Sequence, residues 1–253
     1  MKSTTKFVLA LVATSSAAFA HAQAAPESSL AFNVGAVSEY RYRGLGQTKG
    51  DPALQGGVDY TDKSGLYVGA WASTIKWIKE AGIASGVSTK GPLELDLYGG
   101  YKFEAAGLGF DVGYLRYEYV NNTLSKISGS ANANTDELYG AATYGPITLK
   151  YSQAISNLFG FANSKNSTYV DLSATFDLGG GYTLTPHMGR QAIKGENKPY
   201  SYTDHSVTLT KDFGGGLSGT LAAVGTNAKS SLYTVNGYNQ GKDTVVVGIK
   251  YTF

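Results

Sequence analysis

The chain contains no cysteine, and beyond its first two dozen residues it has no run of eighteen apolar residues. Without cysteine there is neither a disulfide nor a thiolate metal site. Without a long apolar run there is no membrane-spanning helix, which needs roughly 20 such residues. Net charge is nearly absent as well. Lysine and arginine number 21 against 19 acidic residues, and Lys2 and Lys6 are two of those cations. Setting these two aside leaves 19 against 19, so the remainder is formally neutral and offers no basic run for nucleic acid.

The first residues have a distinct anatomy. Lys2 and Lys6 lead into an apolar stretch from Phe7 to Phe19, and overlapping Ala-x-Ala sites begin at Ala18, Ala20 and Ala22. Positive charge, a short apolar core and a small-residue exit describe a secretory signal peptide. Residues 1–24 are therefore expected as signal, with cleavage between Ala20 and Ala25, and residues 25–253 as one exported domain. An exported domain without disulfides needs another source of stability, and a closed hydrogen-bonded sheet is one.

The last residues read as a strand. From Asp243 to Phe253, Val245, Val247, Ile249, Tyr251 and Phe253 share one face, and Thr244, Val246, Gly248, Lys250 and Thr252 the other. Period-2 alternation with one apolar side marks a half-lipid, half-polar strand. A terminal Phe with Tyr two residues before it resembles the insertion signal of bacterial outer-membrane barrels. That resemblance implies recognition by the barrel assembly machinery.

Between the ends, alternating segments of about ten residues recur, as transmembrane β-barrels require. Leu30 to Arg43 places Leu30, Phe32, Val34, Ala36, Tyr40 and Tyr42 opposite Asn33, Glu39, Arg41 and Arg43. Pro92 to Glu104 places Leu93, Leu95, Leu97, Tyr101 and Phe103 opposite Glu94, Asp96, Tyr98, Lys102 and Glu104. Ile147 to Ile155 and Thr168 to Leu178 follow the same rule. In Phe110 to Val120 the apolar side switches from Val112 and Tyr114 to Leu115, Tyr117 and Tyr119, which predicts a β-bulge. Gly65 to Trp77 is apolar on both faces at its start and leaves its facing open.

Connections alternate in length. Short ones fall at residues 62–65, 104–109, 145–146, 179–181 and 214–216, and longer polar ones near 44–52, 76–91, 121–135, 157–167, 194–201 and 228–242. Five short and six long connections predict an all-β, antiparallel, up-and-down transmembrane barrel of about twelve strands. Backbone groups cannot stay unpaired in lipid, so such a sheet closes on itself. Both termini are then expected on the periplasmic side of the outer membrane, among lipid and lipopolysaccharide. The 19 tyrosines are expected largely as interfacial girdles.

Val37 to Thr48 (V-S-E-Y-R-Y-R-G-L-G-Q-T), Pro52 to Tyr60 and Ser64 to Ser73 resemble the opening of the TorF-type porins of proteobacterial outer membranes. The resemblance implies a barrel with a pore and names no solute. A twelve-stranded barrel is of intermediate width, so a narrow, selective passage for small polar or anionic solutes is expected. Glu39, Arg41 and Arg43, with Asp59 on the next strand, form the leading pore-lining candidates. Arg41 and Arg43 would bias a constriction toward anions, or else pair with Asp59, Glu94 and Asp96 to fill a polar interior. Parity adds Glu94, Asp96, Lys102, Lys150, Asp171, His187 and Lys250 to the lumen face.

Other functions find less support. Asp204, His205 and Ser206 hold triad residue types, but strand neighbours point to opposite faces, so no nucleophilic site is expected. The glycine runs at 179–181 and 214–216 precede no helical pattern and read as turns, not phosphate loops. Asn132, Asn134, Asp136 and Glu137 read as a solvated loop before a cation site. No cofactor or metal is expected. A surface receptor acting through its loops is the alternative function, and the oligomeric state is left open.

Overall fold

The computed structural model describes residues 28–253, and the expected signal segment lies outside them. The strands run in chain order as β1 (Ser29–Val37), β2 (Ala53–Thr61), β3 (Leu66–Thr74), β4 (Leu93–Ala105), β5 (Leu108–Tyr119) and β6 (Thr135–Tyr144). They continue as β7 (Ile147–Ala154), β8 (Thr168–Ala174, resumed over Phe176–Gly179), β9 (Tyr182–Ala192), β10 (Tyr202–Gly214), β11 (Leu217–Thr226) and β12 (Thr244–Thr252). Both parts of β8 pair with β9, so the wall has twelve positions. Each strand pairs antiparallel with its sequence neighbours, and β1 pairs with β12 from Asn33↔Thr252 to Val37↔Gly248. The sheet is closed.

The expected alternation holds along the wall. Leu30, Phe32 and Val34 of β1, Leu149 and Tyr151 of β7, and Val245, Val247, Ile249 and Tyr251 of β12 are exposed on the outer surface. Their neighbours face a crowded lumen, where Glu94, Thr148, Ser152, Asp171, Ser173 and Ser218 are buried. The outer face of β3, which the sequence left open, carries Leu66 and Val68. Trp71 and the buried Ser73 share the opposite parity.

At one end of the barrel the strands join by tight turns. Gly179, Gly180 and Gly181 all have positive φ (78, 59 and 78°), as do Gly214, Gly215 and Gly216 (83, 61 and 87°). Three consecutive residues adopt the left-handed conformation at little cost only if all are glycine, which has no Cβ. The outer rim near this end carries aromatic contacts, with Phe32 stacked on Phe253 at 5.9 Å and Phe103 on Phe110 at 5.2 Å. Only seven of the 19 tyrosines are exposed on the barrel's outside (Tyr60, Tyr101, Tyr114, Tyr144, Tyr151, Tyr182 and Tyr251). Most of the rest face inward or lie beneath the long connections, so the girdle expectation accounts for the minority.

Two expectations are corrected. β5 contains no bulge: its register with β4 runs unbroken from Glu94↔Tyr119 to Ala105↔Leu108. Tyr117 and Tyr119 keep the inward parity because the lumen at that end is itself aromatic. The first strand also stops at Val37, not Arg43, and Glu39, Tyr40 and Arg41 fold inside the barrel as part of a connection. The long polar connection after β3 holds the helix α1 (Trp77–Ala84), which buries its own Ile78 and Gly82.

The apolar outer band yields a test. Leu221 lies in the middle of β11, opposite Val247 and Leu209, and is half exposed. Leu221→Arg is expected to destabilise the membrane-inserted barrel by about 2–4 kcal/mol. Thr210→Ala, on the inward parity of β10, is expected to cost a fraction of that. Urea titrations of both variants in lipid vesicles measure the difference.

Candidate functional site

The end of the barrel opposite the glycine turns is filled by its own first connection. Arg41–Tyr42 and Leu45–Gly46 pair as a miniature hairpin. Its two central residues, Arg43 and Gly44, both have positive φ (45 and 78°). Left-handed geometry at both central positions is the type I′ turn, whose twist suits a tight hairpin. Holding a non-glycine residue there costs of order 1–3 kcal/mol and persists only where the surroundings enforce it. Gly44 is enforced sterically, since a Cβ there would meet Thr226 Cγ2 at 2.5 Å and Asp204 Cβ at 2.6 Å.

Arg43 is enforced by its partners. The hairpin carries its guanidinium across the lumen to Glu137 of β6, with Nη1 donating to Oε1 at 3.0 Å and Nη2 to Oε2 at 2.8 Å. Nη1 also donates to Gln191 Oε1 of β9 at 2.8 Å, and the group lies 4.2 Å from the Tyr169 ring centroid. Burial is the largest influence and would lower the affinity of this guanidinium for its proton, but the groups around it, the Glu137 carboxylate foremost, together raise it. The fork geometry of arginine suits such a bidentate bond.

Arg41 anchors the base of the hairpin. Nη2 donates to Glu39 Oε2 at 3.0 Å, while Nη1 donates to the carbonyls of Gly44, Gln240 and Lys242 at 2.9–3.0 Å. The Tyr238 hydroxyl donates to Glu39 as well. Tyr40 extends to the wall, donating to Glu94 Oε1 at 2.9 Å and packing edge-on against Trp71. An apolar cluster of Tyr40, Ile75, Ile78, Tyr117, Tyr119 and Leu124 closes over these groups.

The sequence candidates therefore separate. Glu39, Arg41 and Arg43 do come together, but on an in-folded hairpin and not on one face of a strand. Their charge is spent: both arginine side chains are less than a tenth exposed, and each has a carboxylate of its own. Asp59 is not near them, because it lies toward the turn end of β2 and accepts a 2.5 Å bond from Tyr98. Glu94 binds Tyr40, and Asp96 follows it on the inward parity of β4. Arg43 pairs with neither of these but with Glu137, which inward parity on β6 would have singled out.

Lower in the barrel, tyrosines meet the remaining charges. Tyr67 donates to Asp111 at 2.6 Å and touches the Tyr139 hydroxyl. Lys102 lies 4.9 Å from the Tyr67 ring and Lys150 4.0 Å from that of Tyr139. His187 Nε2 is 2.6 Å from Asp171, and its Nδ1 faces Asp204 at 3.7 Å. Both ring nitrogens thus meet carboxylates and neither is aimed at a serine. His205 takes the outward parity, opposite Asp204. Asp136 is bound to Arg116, and Asn134 to Glu118, so this rim binds its own charges. Among the described residues no group of His, Asp and Glu has metal-binding geometry.

The hairpin is also tied to the outer cap. Lys49 donates to Glu80 of α1 at 2.6 Å, and Asn236 donates to the same carboxylate. These bonds hold the Glu80 carboxyl below the usual glutamate range. A carboxyl so depressed stabilises the cap at neutral pH, and that contribution is lost as pH falls through its folded value, below about 4.3. Acidification below that range is expected to speed proteolysis of the cap, and Lys49→Gln should weaken the pH dependence, leaving the part due to the Asn236 bond. Glu137→Ala should cost more, about 3–5 kcal/mol, because it leaves the Arg43 charge buried and unpaired. Equilibrium unfolding of the variant measures this.

The comparisons agree with the barrel. The KdgM porin in complex with disordered oligogalacturonate superposes with a TM-score of 0.52 at 8% identity, covering 89% of this chain and 99% of that one. The NanC porin gives 0.52 at 10% identity, over 89% and 99% of the two chains. The COG4313 outer membrane channel from Pseudomonas putida F1 gives 0.52 at 13% identity, over 90% and 95%. At such identities the likeness is one of fold, and the fold is that of outer-membrane porins. No curated protein matches the sequence. A family profile described as "Bacterial protein of unknown function (Gcw_chp)" matches residues 21–253, and the chain belongs to that family.

Proposed function

We propose that this protein is an outer-membrane channel of porin type, in which the first connection forms a constriction that admits small polar solutes. The in-folded hairpin carries the proposal. A wall of twelve strands encloses more space than its own side chains fill, and here residues 38–50 occupy the excess at one end. The polar lumen, the apolar outer band and the fold shared with porins support the same reading. So does the resemblance to TorF-type porins, part of which falls on the hairpin itself. In this reading the short turns and both termini are periplasmic and the hairpin end faces outward.

The geometry argues against Arg41 and Arg43 as an anion filter. A cation neutralised by a bidentate carboxylate contributes little field to a passing ion, so any selectivity arises deeper in the lumen. The tight seating of the hairpin favours a second reading, a closed barrel that acts through its outer cap as a receptor.

Single-channel recording in planar bilayers separates the two. The channel reading expects discrete small steps from the mature protein. Arg43→Ala, which frees the hairpin tip, is expected to make the steps several-fold larger or more frequent. A folded barrel that conducts neither as wild type, nor as Arg43→Ala, nor with residues 39–48 replaced by a glycine–serine linker would end the channel reading.

A further inference from the structure

Beneath the hairpin the lumen is not evenly filled. Against the wall formed by β2, β1, β12 and β11, with β3 at its side, lies a recess of about 50 Å³. Asn33, Gln55, Trp71, Ser218, Thr220 and Lys250 line it. These residues come from five adjacent strands, and each lies on the inward parity of its strand.

Glycine keeps the recess open. A Cβ at Gly57 would meet Asn33 Nδ2 and Trp71 Cδ1, both at 3.2 Å. A Cβ at Gly248 would meet Thr220 Oγ1 at 2.6 Å.

The chemistry of the lining is uneven in kind as well. It offers two carboxamides, two hydroxyls, one indole and one ammonium. Carboxamides and hydroxyls donate and accept alike. Among the described residues, Asn33 and Thr220 make no side-chain hydrogen bond to the protein, and Gln55 makes one long one, 3.3 Å to Ser73. Tyr40 packs edge-on against the Trp71 indole at 5.5 Å and so holds it in place. Convergent polar groups beside an aromatic ring are what orients a polar solute and gives a site its specificity.

We infer that this recess is a binding subsite for a single sugar ring bearing a carboxylate, in which Trp71 packs on the ring, the carboxamides and hydroxyls bind its hydroxyl groups, and Lys250 binds the acid. The inference deepens the channel reading and rests on it, since it names the class of solute held below the constriction. At about 10–15 Å³ per water the recess holds only a few water molecules, so it takes one face of one ring and not an oligomer. Lys250 is itself engaged in the structure, and a bound carboxylate competes for its ammonium.

Trp71 and Trp77 are the two tryptophans of the chain, so Trp77→Phe leaves a single reporter in the recess. The refolded Trp77→Phe barrel in detergent is titrated with galacturonate and, separately, with galactose, and Trp71 fluorescence is followed. A saturable change is expected with both, tighter for galacturonate. Lys250→Gln is expected to weaken galacturonate about tenfold, the worth of a charge-assisted bond, and to leave galactose within about twofold. Thr220→Val, nearly the same shape, should weaken both. No saturable change with either sugar overturns the inference, as does a Lys250→Gln variant that leaves the preference for galacturonate intact. Binding in detergent does not depend on conduction. A barrel that binds but passes no current therefore refutes the channel alone, and one that conducts but does not bind refutes the subsite alone.

Discussion

Everything in this molecule depends on the pairing of its first strand with its last. Once β1 and β12 bond from Asn33↔Thr252 to Val37↔Gly248, no strand of the wall has a free edge. The wall can then present an apolar exterior to lipid without stranding a single row of backbone donors. Closure also creates a difficulty, because it encloses a volume whose width follows from the number of strands. With twelve, the inward side chains of the wall do not meet in the middle everywhere. The chain answers with tyrosines from the wall at the turn end and with its own first connection at the other.

That connection is a piece of ordinary hairpin chemistry in an unusual place. A type I′ turn commonly sits in solvent at a strand junction. Here its tip carries an arginine in a left-handed conformation to a carboxylate on the far side of the barrel. Neither half would be stable alone: a buried guanidinium without Glu137 is costly, and Glu137 without Arg43 would be an isolated charge in a closed space. The aromatic residues around them, Tyr42, Tyr117, Phe159 and Tyr169, exclude water and give the cation rings to lie against.

Most of the wall was legible in the sequence, because lipid and lumen impose period-2 alternation that few other settings impose for so long. Strand number, the short turns and the inward facing of Glu94, Asp96, Asp171, His187 and Lys250 all follow from it. What was not legible is where alternation continues without a strand. Tyr40 and Tyr42 extend the apolar parity of β1, yet Gly44 and Gly46 let the chain double back, and the same residues turn into the barrel. Tyr117 and Tyr119 mislead for the converse reason. Apolar parity reads as lipid-facing, whereas a lumen that receives a hairpin needs aromatic surface of its own. Helix α1 leaves little trace in the pattern because Trp77, Ile78 and Ala81 are a short helical stripe among polar residues.

The base of the hairpin has one further property. Two of the carbonyls that Arg41 grips, those of Gln240 and Lys242, belong to the stretch of chain leading directly into β12. The strand that seals the cylinder and the segment that stoppers it are therefore fastened at a common point. Opening the seam would loosen the stopper, and an unseated stopper would leave the sealing strand poorly aimed. Side wall and bore are not independent parts of this barrel but are closed by the same few residues.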